Sequence, residues 1–359
     1  MPWNPKATMN NYYDQLCTIS LDSNIFYSPM GYSDMVRKKI SVIGAGNVGA
    51  SVAQALAIER LGNVYLFDVV EGVPEGKALD IQEGAPHWGY DLEIKGFTTT
   101  NPEVYENLKG SDVIVITAGL ARKPGMSRDD LLGKNVEILS SVSQSIKKYS
   151  PESRIIVVTN PADVMAYAVQ KVTGIPPERI IGLGGSLDSS RFRTFLSMEL
   201  GVSVKDINAF VIGGHGDDMV PFIRYSSAGG IPIERLLSKE KIEEIVKRTR
   251  FGGGEIVNYL KTGSAYYAPS VSITAMVRAI IDDEKRIIPS AAFLSGSHSK
   301  HYGASGIFIG LPIKIGSNGV EHIYDIDFNP DELELWKRTV ESVKSGCAKV
   351  DEFLSVKKN

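Results

Sequence analysis

The amino-acid sequence predicts an α/β fold, an open and doubly wound parallel sheet followed by a mixed α+β region. Three observations predict it. Short β-branched runs alternate with stretches of helical period from Lys38 onward, the runs are continuously apolar, and after about residue 185 the alternation gives way to shorter strand and turn signals. The runs are KKISVIGAG, NVYLFDV, SDVIVITAG, RIIVVTN and RIIGLGG. They are too continuous for half-exposed strands and right for a parallel sheet covered on both faces. Strand-helix alternation implies βαβ units, with helices expected over 47–60 and 130–149.

In the second part, INAFVIGGHGDDMVPFIRYSSAGGIPI carries strand and turn signals, and 239–262 reads as a long helix. Residues 270–284 read as another, GIFIGLPIKIGSNGVEHIYDI as a hairpin, and 331–354 as a helix opened by Pro330 and Asp331. The expected organisation is an N-terminal extension at 1–37, a nucleotide-binding domain at 38–184 and a catalytic and substrate domain at 185–356. The extension has little charge, several Asn and Tyr and no clear period. It lacks the basic start and apolar stretch of a secretory signal and the Arg-rich pattern of an organellar presequence. It reads as a loosely ordered segment or an upstream start, with Met35 the natural beginning.

Composition narrows the function classes. The chain has 359 residues, 43 % hydrophobic and 23 % charged, the balance of a globular protein with a large core. A net charge of −3 with no basic block argues against a nucleic-acid partner. Cys17 and Cys347 are the only cysteines, so neither a disulfide framework nor a cysteine metal site is expected. That usage fits a reducing cytoplasm. No run approaches the ~18 apolar residues of a membrane span.

GAGNVG, with Gly44, Gly46 and Gly49, follows the first strand and precedes a helix rich in small residues. The first glycine makes a tight turn, the second lets the backbone approach a pyrophosphate, and the third permits close helix-sheet packing. The phosphates would sit on free N–H groups at the helix start, Asn47 and Val48 included. Alone the pattern is weak; its strand-helix context makes it a Rossmann fingerprint. Asp68 ends the second strand 19 residues after Gly49 (68−49), where an acid accepts hydrogen bonds from both ribose hydroxyls and repels a 2′-phosphate. NAD is therefore favoured over NADP. Thr117, Ala118 and Gly119 offer a small-residue floor beneath the dinucleotide.

Three further stretches carry chemistry. LDSSRFR places Asp188 and Arg191 one helical turn apart, so both can face one pocket. GGHGDD sets His215 among glycines, which expose its imidazole to a ligand. VVTNPADV ends a strand at Asn160, which reads as a helix N-cap or as a substrate and nicotinamide contact, two compatible roles, with the Asn-Pro step favouring an extended or turn conformation. In ARKPGMSRDDLL, Arg122 and Arg128 flank a Pro-Gly turn.

Taken in order, GAGNVG, FDVVEGVPEGKALDI, ITAGLARKPGMSRDDLL, VVTNPADV, LDSSRFRTFL, GGHGDDMVP and KTGSAYYAP resemble the lactate/malate dehydrogenase family, in its lactate-dehydrogenase-like malate dehydrogenase branch. The likeness runs from Lys38 to the C-terminal helix. It implies NAD as cofactor, a tricarboxylic acid cycle substrate and a homodimer or homotetramer, with the helix after GAGNVG and that at 239–262 as contacts. By motif, His215 would be the general base, Asp188 would fix its tautomer, and Arg191 would grip the carboxylate next to the reacting carbon. Arg128 would polarise the C2 carbonyl, and Asn160 would add a hydrogen bond. Asn135 and Val158 join the cofactor set by the same likeness. Arg122 would select the far end of the substrate. A second carboxylate pairs it, whereas a methyl would leave a buried charge unpaired at a cost of about 3–5 kcal/mol, so malate is preferred to lactate.

Gly119, Gly125 and Gly133 are candidate hinges of a closing lid, and Ala265 reads either as a small wall residue or as helix packing. SGSHSKHYGASG at 295–306 reads as a solvated loop; His298 and His301 have no local acid or cysteine to complete a metal site. His87 reads as a loop residue near a subunit interface. The alternatives are a lactate dehydrogenase, an NAD-dependent glycoside hydrolase, which would use a metal and a cysteine, and a non-enzymatic NAD-binding module.

Overall fold

Lys39–Ile43 (β1) is buried in all residues but its first. Five strands continue in parallel: Asn63–Asp68 (β2), Ile94–Thr98 (β3), Val113–Ile116 (β4), Arg154–Val157 (β5) and Ile180–Gly182 (β6). The computed structural model describes residues 37–120, 127–216 and 218–356, with the backbone alone for Arg128 and Val356. The strand order is β3-β2-β1-β4-β5-β6, which reverses between β1 and β4. Every residue of β4 and β6 is buried, so both sheet faces are covered, as continuous apolar runs require.

The cover comes from two groups of helices. Asn47–Ile58 (α1) turns Gly49, Val52, Ala53, Leu56 and Ala57 inward and packs with Val73–Glu83 (α2). A single turn, Ala85–Trp88 (α3), follows and carries His87, exposed on that turn and not in a loop. Arg128–Tyr149 (α4) packs with Ala162–Thr173 (α5). Its start, two residues before the expected 130, is set by a capping box in which Ser127 Oγ accepts from the Asp130 N–H and Asp130 Oδ2 from the Ser127 N–H, satisfying two donors left free at a helix start.

Beyond residue 184, Gly185–Leu200 (α6) leads into short strands: Ile207–Asn208 (β7), Val211–Ile212 (β8), Val220–Pro221 (β9), Ser227–Ala228 (β10) and Ile231–Pro232 (β11). Lys239–Leu260 (α7) and Tyr267–Ile281 (α8) are the two expected helices, and α8 packs on α1. Arg286–Phe293 (β12), Phe308–Gly316 (β13) and Gly319–Ile323 (β14) form an antiparallel set that includes the expected hairpin. This set joins the main sheet, with Ala291 opposite Gly182, so one nine-stranded sheet crosses the 184/185 boundary.

The stretch at 295–306 departs from the expected solvated loop. Gly296–Tyr302 is a helix (α9) closed by Gly303 at φ 65°. Tyr302 pulls it inward: its ring packs with Phe328 and Trp336, its hydroxyl donates to Tyr324 O at 2.6 Å, and Trp336 Nε1 donates to Tyr302 O at 2.8 Å. His298 donates to Asp325 Oδ1 at 2.7 Å and His301 to Ile326 O at 2.9 Å. The last helix, Pro330–Val356 (α10), packs with α4 and α5. Among the described residues, no helix is long and apolar enough to cross a membrane.

Candidate active site

The strand order places the ends of β1 and β4 side by side, the usual position for a nucleotide in an open α/β sheet. Gly44 leaves β1 at φ 106°, and a Cβ there would lie 2.5 Å from the Ala118 nitrogen. Thr117 Oγ1 donates to Gly44 O at 2.8 Å, closing the turn from below. A Cβ on Gly49 would sit 1.8 Å from Gly44 O, so only glycine lets α1 start this close to the turn. Gly46 differs: nothing lies within 4 Å of its would-be Cβ, and Gly46 and Asn47 are exposed with Val48 half-buried beside them. The cradle is therefore open where a pyrophosphate needs backbone contact and closed where it needs support.

Asp68, at the end of β2, accepts from Ala45 N at 2.6 Å and Val70 N at 3.0 Å. It anchors the glycine turn, and each of its oxygens keeps a further lone pair for another donor. Lys77, on α2, donates to Ala45 O at 2.6 Å, a support that FDVVEGVPEGKALDI does not disclose as a sequence. These residues fit an adenine dinucleotide, and the loop yields a paired expectation. Gly46→Ala should keep its melting temperature within about 2 °C, as for open sites, yet weaken NADH binding at least ~10-fold by placing a methyl in the cradle. Gly49→Ala should lower the melting temperature by about 5 °C or more through overpacking. Calorimetry and NADH titration of both variants check this.

At the end of β4, a Cβ on Gly119 would meet the Thr159 methyl at 2.4 Å, so this glycine serves close approach and does not have the open surroundings of a hinge. Gly133 lies inside α4 with the Phe353 ring 3.0 Å from its would-be Cβ; it too is a packing glycine. Gly125 lies outside the described residues. Asn135 is fully buried, and both ends of its amide are engaged within the protein: Oδ1 accepts from Leu120 N at 2.8 Å, and Nδ2 donates to Asn160 O at 2.9 Å. It ties the β4 loop to the β5 loop. Val158 is half-buried and donates its N–H to Ile116 O at 2.9 Å. Asn160 ends the β5 loop exposed, while Pro161 holds the N-cap position of α5.

The α6 residues Asp188 and Arg191 meet His215 beyond β8. Asp188 is 1 % exposed; its Oδ2 accepts from His215 Nδ1 at 2.8 Å, and its Oδ1 lies 3.4 Å from an Arg191 terminal nitrogen. The bond from Nδ1–H to the carboxylate fixes the neutral tautomer in which Nε2 is the unprotonated nitrogen. The Asp188 carboxylate raises the His215 pKa above its ordinary value against the opposing effect of burial. Arg191 Nε is buried with no hydrogen bond among the described residues. Burial lowers the Arg191 pKa from its high ordinary value, and the guanidinium stays charged. Its stem rests on α7, where Gly252 clears space: a Cβ there would lie 3.2 Å from Arg191 Cδ. Gly252 thus makes room for the Arg191 side chain, which the sequence alone did not reveal.

Of the two loop arginines, Arg128 is the first residue of α4, described by its backbone, and Arg122 lies outside the described residues. Ala265 is half-buried in the segment joining α7 and α8. Two residues without an assigned role support His215. Asp163 Oδ2 accepts from its N–H at 2.9 Å, and Thr339 Oγ1 accepts from the Gly214 N–H at 2.7 Å.

Residues 38–182 match the family model described as lactate/malate dehydrogenase, NAD binding domain, and residues 185–354 match that described as lactate/malate dehydrogenase, alpha/beta C-terminal domain. The chain belongs to the lactate/malate dehydrogenase family. It is 74 % identical over 321 residues to a malate dehydrogenase of Thermoplasma acidophilum, covering 89 % of this chain and 99 % of that protein. A solved malate dehydrogenase of Picrophilus torridus in its apo form is 69 % identical with a TM-score of 0.88, covering 89 % and 99 % of the two chains. A lactate dehydrogenase of Cryptosporidium parvum, solved with lactic acid and nicotinamide adenine dinucleotide, is 41 % identical with a TM-score of 0.82, covering 88 % and 98 %. Family membership makes the open cradle at Gly46 part of an NAD-binding domain.

Proposed function

We propose that the protein is a malate dehydrogenase, interconverting (S)-malate and oxaloacetate with NAD. The observation that carries the reading is the Asp188–His215–Arg191 cluster, in which a tautomer-fixed imidazole stands beside a buried guanidinium whose Nε has no partner among the described residues. Gly44, Gly46, Gly49 and Asp68 would hold NAD, which would supply the hydride acceptor for C2 of the substrate. His215 Nε2 takes the hydroxyl proton during malate oxidation and returns it during oxaloacetate reduction. Asp188 stabilises the imidazolium so formed, by the logic of a catalytic triad without a nucleophile. Arg191 holds the carboxylate beside the reacting carbon in a two-pronged grip, Arg128 polarises the C2 carbonyl, and Asn160 donates to the same region. Arg122 pairs with the distal carboxylate. The relatives named malate dehydrogenase support this choice over lactate.

The test is the fall in NADH absorbance on adding oxaloacetate, repeated with NADPH. Asp68 favours faster turnover with NADH, and no turnover with either cofactor would end the reading. The finer setting is a cytoplasmic enzyme of the tricarboxylic acid cycle acting as a homodimer or homotetramer. Exposed Phe251, Tyr259 and Leu260 on α7 support self-association, since apolar patches mark interfaces. Light scattering should give a multiple of the chain mass, and a monomer would contradict it.

A further inference from the structure

The turn Gly213–His215 presents three successive backbone N–H groups, and each donates to a different element. Gly213 N donates to Gly310 O on β13 at 2.9 Å, Gly214 N to Thr339 Oγ1 on α10 at 2.7 Å, and His215 N to Asp163 Oδ2 on α5 at 2.9 Å. The first two acceptors are neutral. The third is a carboxylate 3 % exposed, whose Oδ1 is buried with no hydrogen bond among the described residues. A neutral amide or hydroxyl would accept the same N–H without burying a charge, which is costly when half of its bonding capacity is unused. A structural cap alone does not account for a charge here.

We propose that Asp163 is a positioning residue for the proton transfer, fixing the main chain of His215 and acting as a second negative charge, with Asp188, that favours the imidazolium form. The inference rests on the reading of His215 as the acid–base group. His215 is faced by Asp188 and Arg191 from α6 and by Asp163 from α5. Asp163 is faced by His215, by Asp188 and, from α10, by Cys347, whose thiol burial pushes up to about 12 and so leaves neutral. Burial pushes the Asp163 carboxyl up to about 6 despite its bond from His215. Its charge is therefore present at neutral pH and lost as pH falls through about 6. The raised value costs stability progressively as pH rises from the ordinary carboxyl value to about 6, and in full above it. The arrangement gives up some stability for imidazole basicity.

Asp163→Asn keeps an oxygen to accept the His215 N–H and removes the charge. In oxaloacetate reduction, kcat/KM falls as pH rises through the His215 pKa. The midpoint in Asp163→Asn should lie about one pH unit lower than in the wild type, with the KM for NADH unchanged. Thr339→Val removes a neutral bond one residue away and should lower kcat with no such shift. An unshifted midpoint in Asp163→Asn overturns the proposal. Should that variant not fold, the wild-type protein decides by NMR titration of its five histidines, with His215 identified by its loss in His215→Asn. The His215 ring resonance should show two inflections, its own and one near pH 6 from Asp163; a single inflection overturns the proposal. Absence of turnover in the wild type would defeat the dehydrogenase reading, while this titration would still decide the coupling.

Discussion

Replacing Arg122 with glutamine is expected to lower kcat/KM for oxaloacetate by about 10²–10³-fold and to raise the ratio of pyruvate to oxaloacetate turnover. Truncating one partner of a buried ion pair costs about 3–5 kcal/mol because the other charge stays behind unpaired, and each ~1.4 kcal/mol is a factor of ten. The distal carboxylate of oxaloacetate would be that abandoned charge. Pyruvate carries a methyl there, which an unpaired guanidinium disfavours and a neutral amide tolerates. Discrimination by unmet pairing exceeds what pocket size alone achieves. Steady-state kinetics with both 2-oxo acids check the prediction; an unchanged ratio would remove Arg122 from substrate selection.

The second large effect falls on His215. His215→Asn should lower kcat about 10²–10⁴-fold, the range for losing a positioned acid–base group, while leaving the Kd for NADH close to that of the wild type. Asp188→Asn should cost about 10–10²-fold, the worth of a charge-assisted hydrogen bond to the imidazolium. The pH profile has a definite sign. Because Asp188 raises the His215 pKa, the protonated form is favoured in the folded enzyme, and its stabilisation is complete below the ordinary histidine value and lost as pH rises through the raised one. Oxaloacetate reduction should decline through that upper pH and malate oxidation should rise through it. Profiles of opposite sign would reassign the proton carrier.

Much of the fold was legible because the sheet is covered on both faces. β1, β4 and β5 are nearly continuous apolar runs that periodicity picks out directly. β3 is an edge strand, with one fully buried residue among IKGFT, and it leaves no such run. The antiparallel joining of β12 to β6 through Ala291 and Gly182 is a long-range pairing with no local signature. The segment at 295–306 has the polar composition of a loop, whereas its fold is decided by one aromatic, Tyr302, docking beside Trp336.

The site divides in the same way. Asp188, Arg191 and His215 are recognisable from spacing and glycine context, and the structure brings them together. Asp163 was in view within VVTNPADV, but an acid in the first turn of a helix is ordinarily explained by the helix dipole. Its burial, and its bond to a residue 52 positions away, exist only once α5 and the turn before β9 are folded together. Gly252 carries a similar lesson, since its purpose is the volume of Arg191.

The central claim is that this family member is built for a dicarboxylate. Initial rates of NADH oxidation with oxaloacetate and with pyruvate, measured on the same enzyme at the same pH, test it most directly. The kcat/KM for oxaloacetate should lie at least ~10²-fold above that for pyruvate. A kcat/KM for pyruvate equal to or greater than that for oxaloacetate would contradict it.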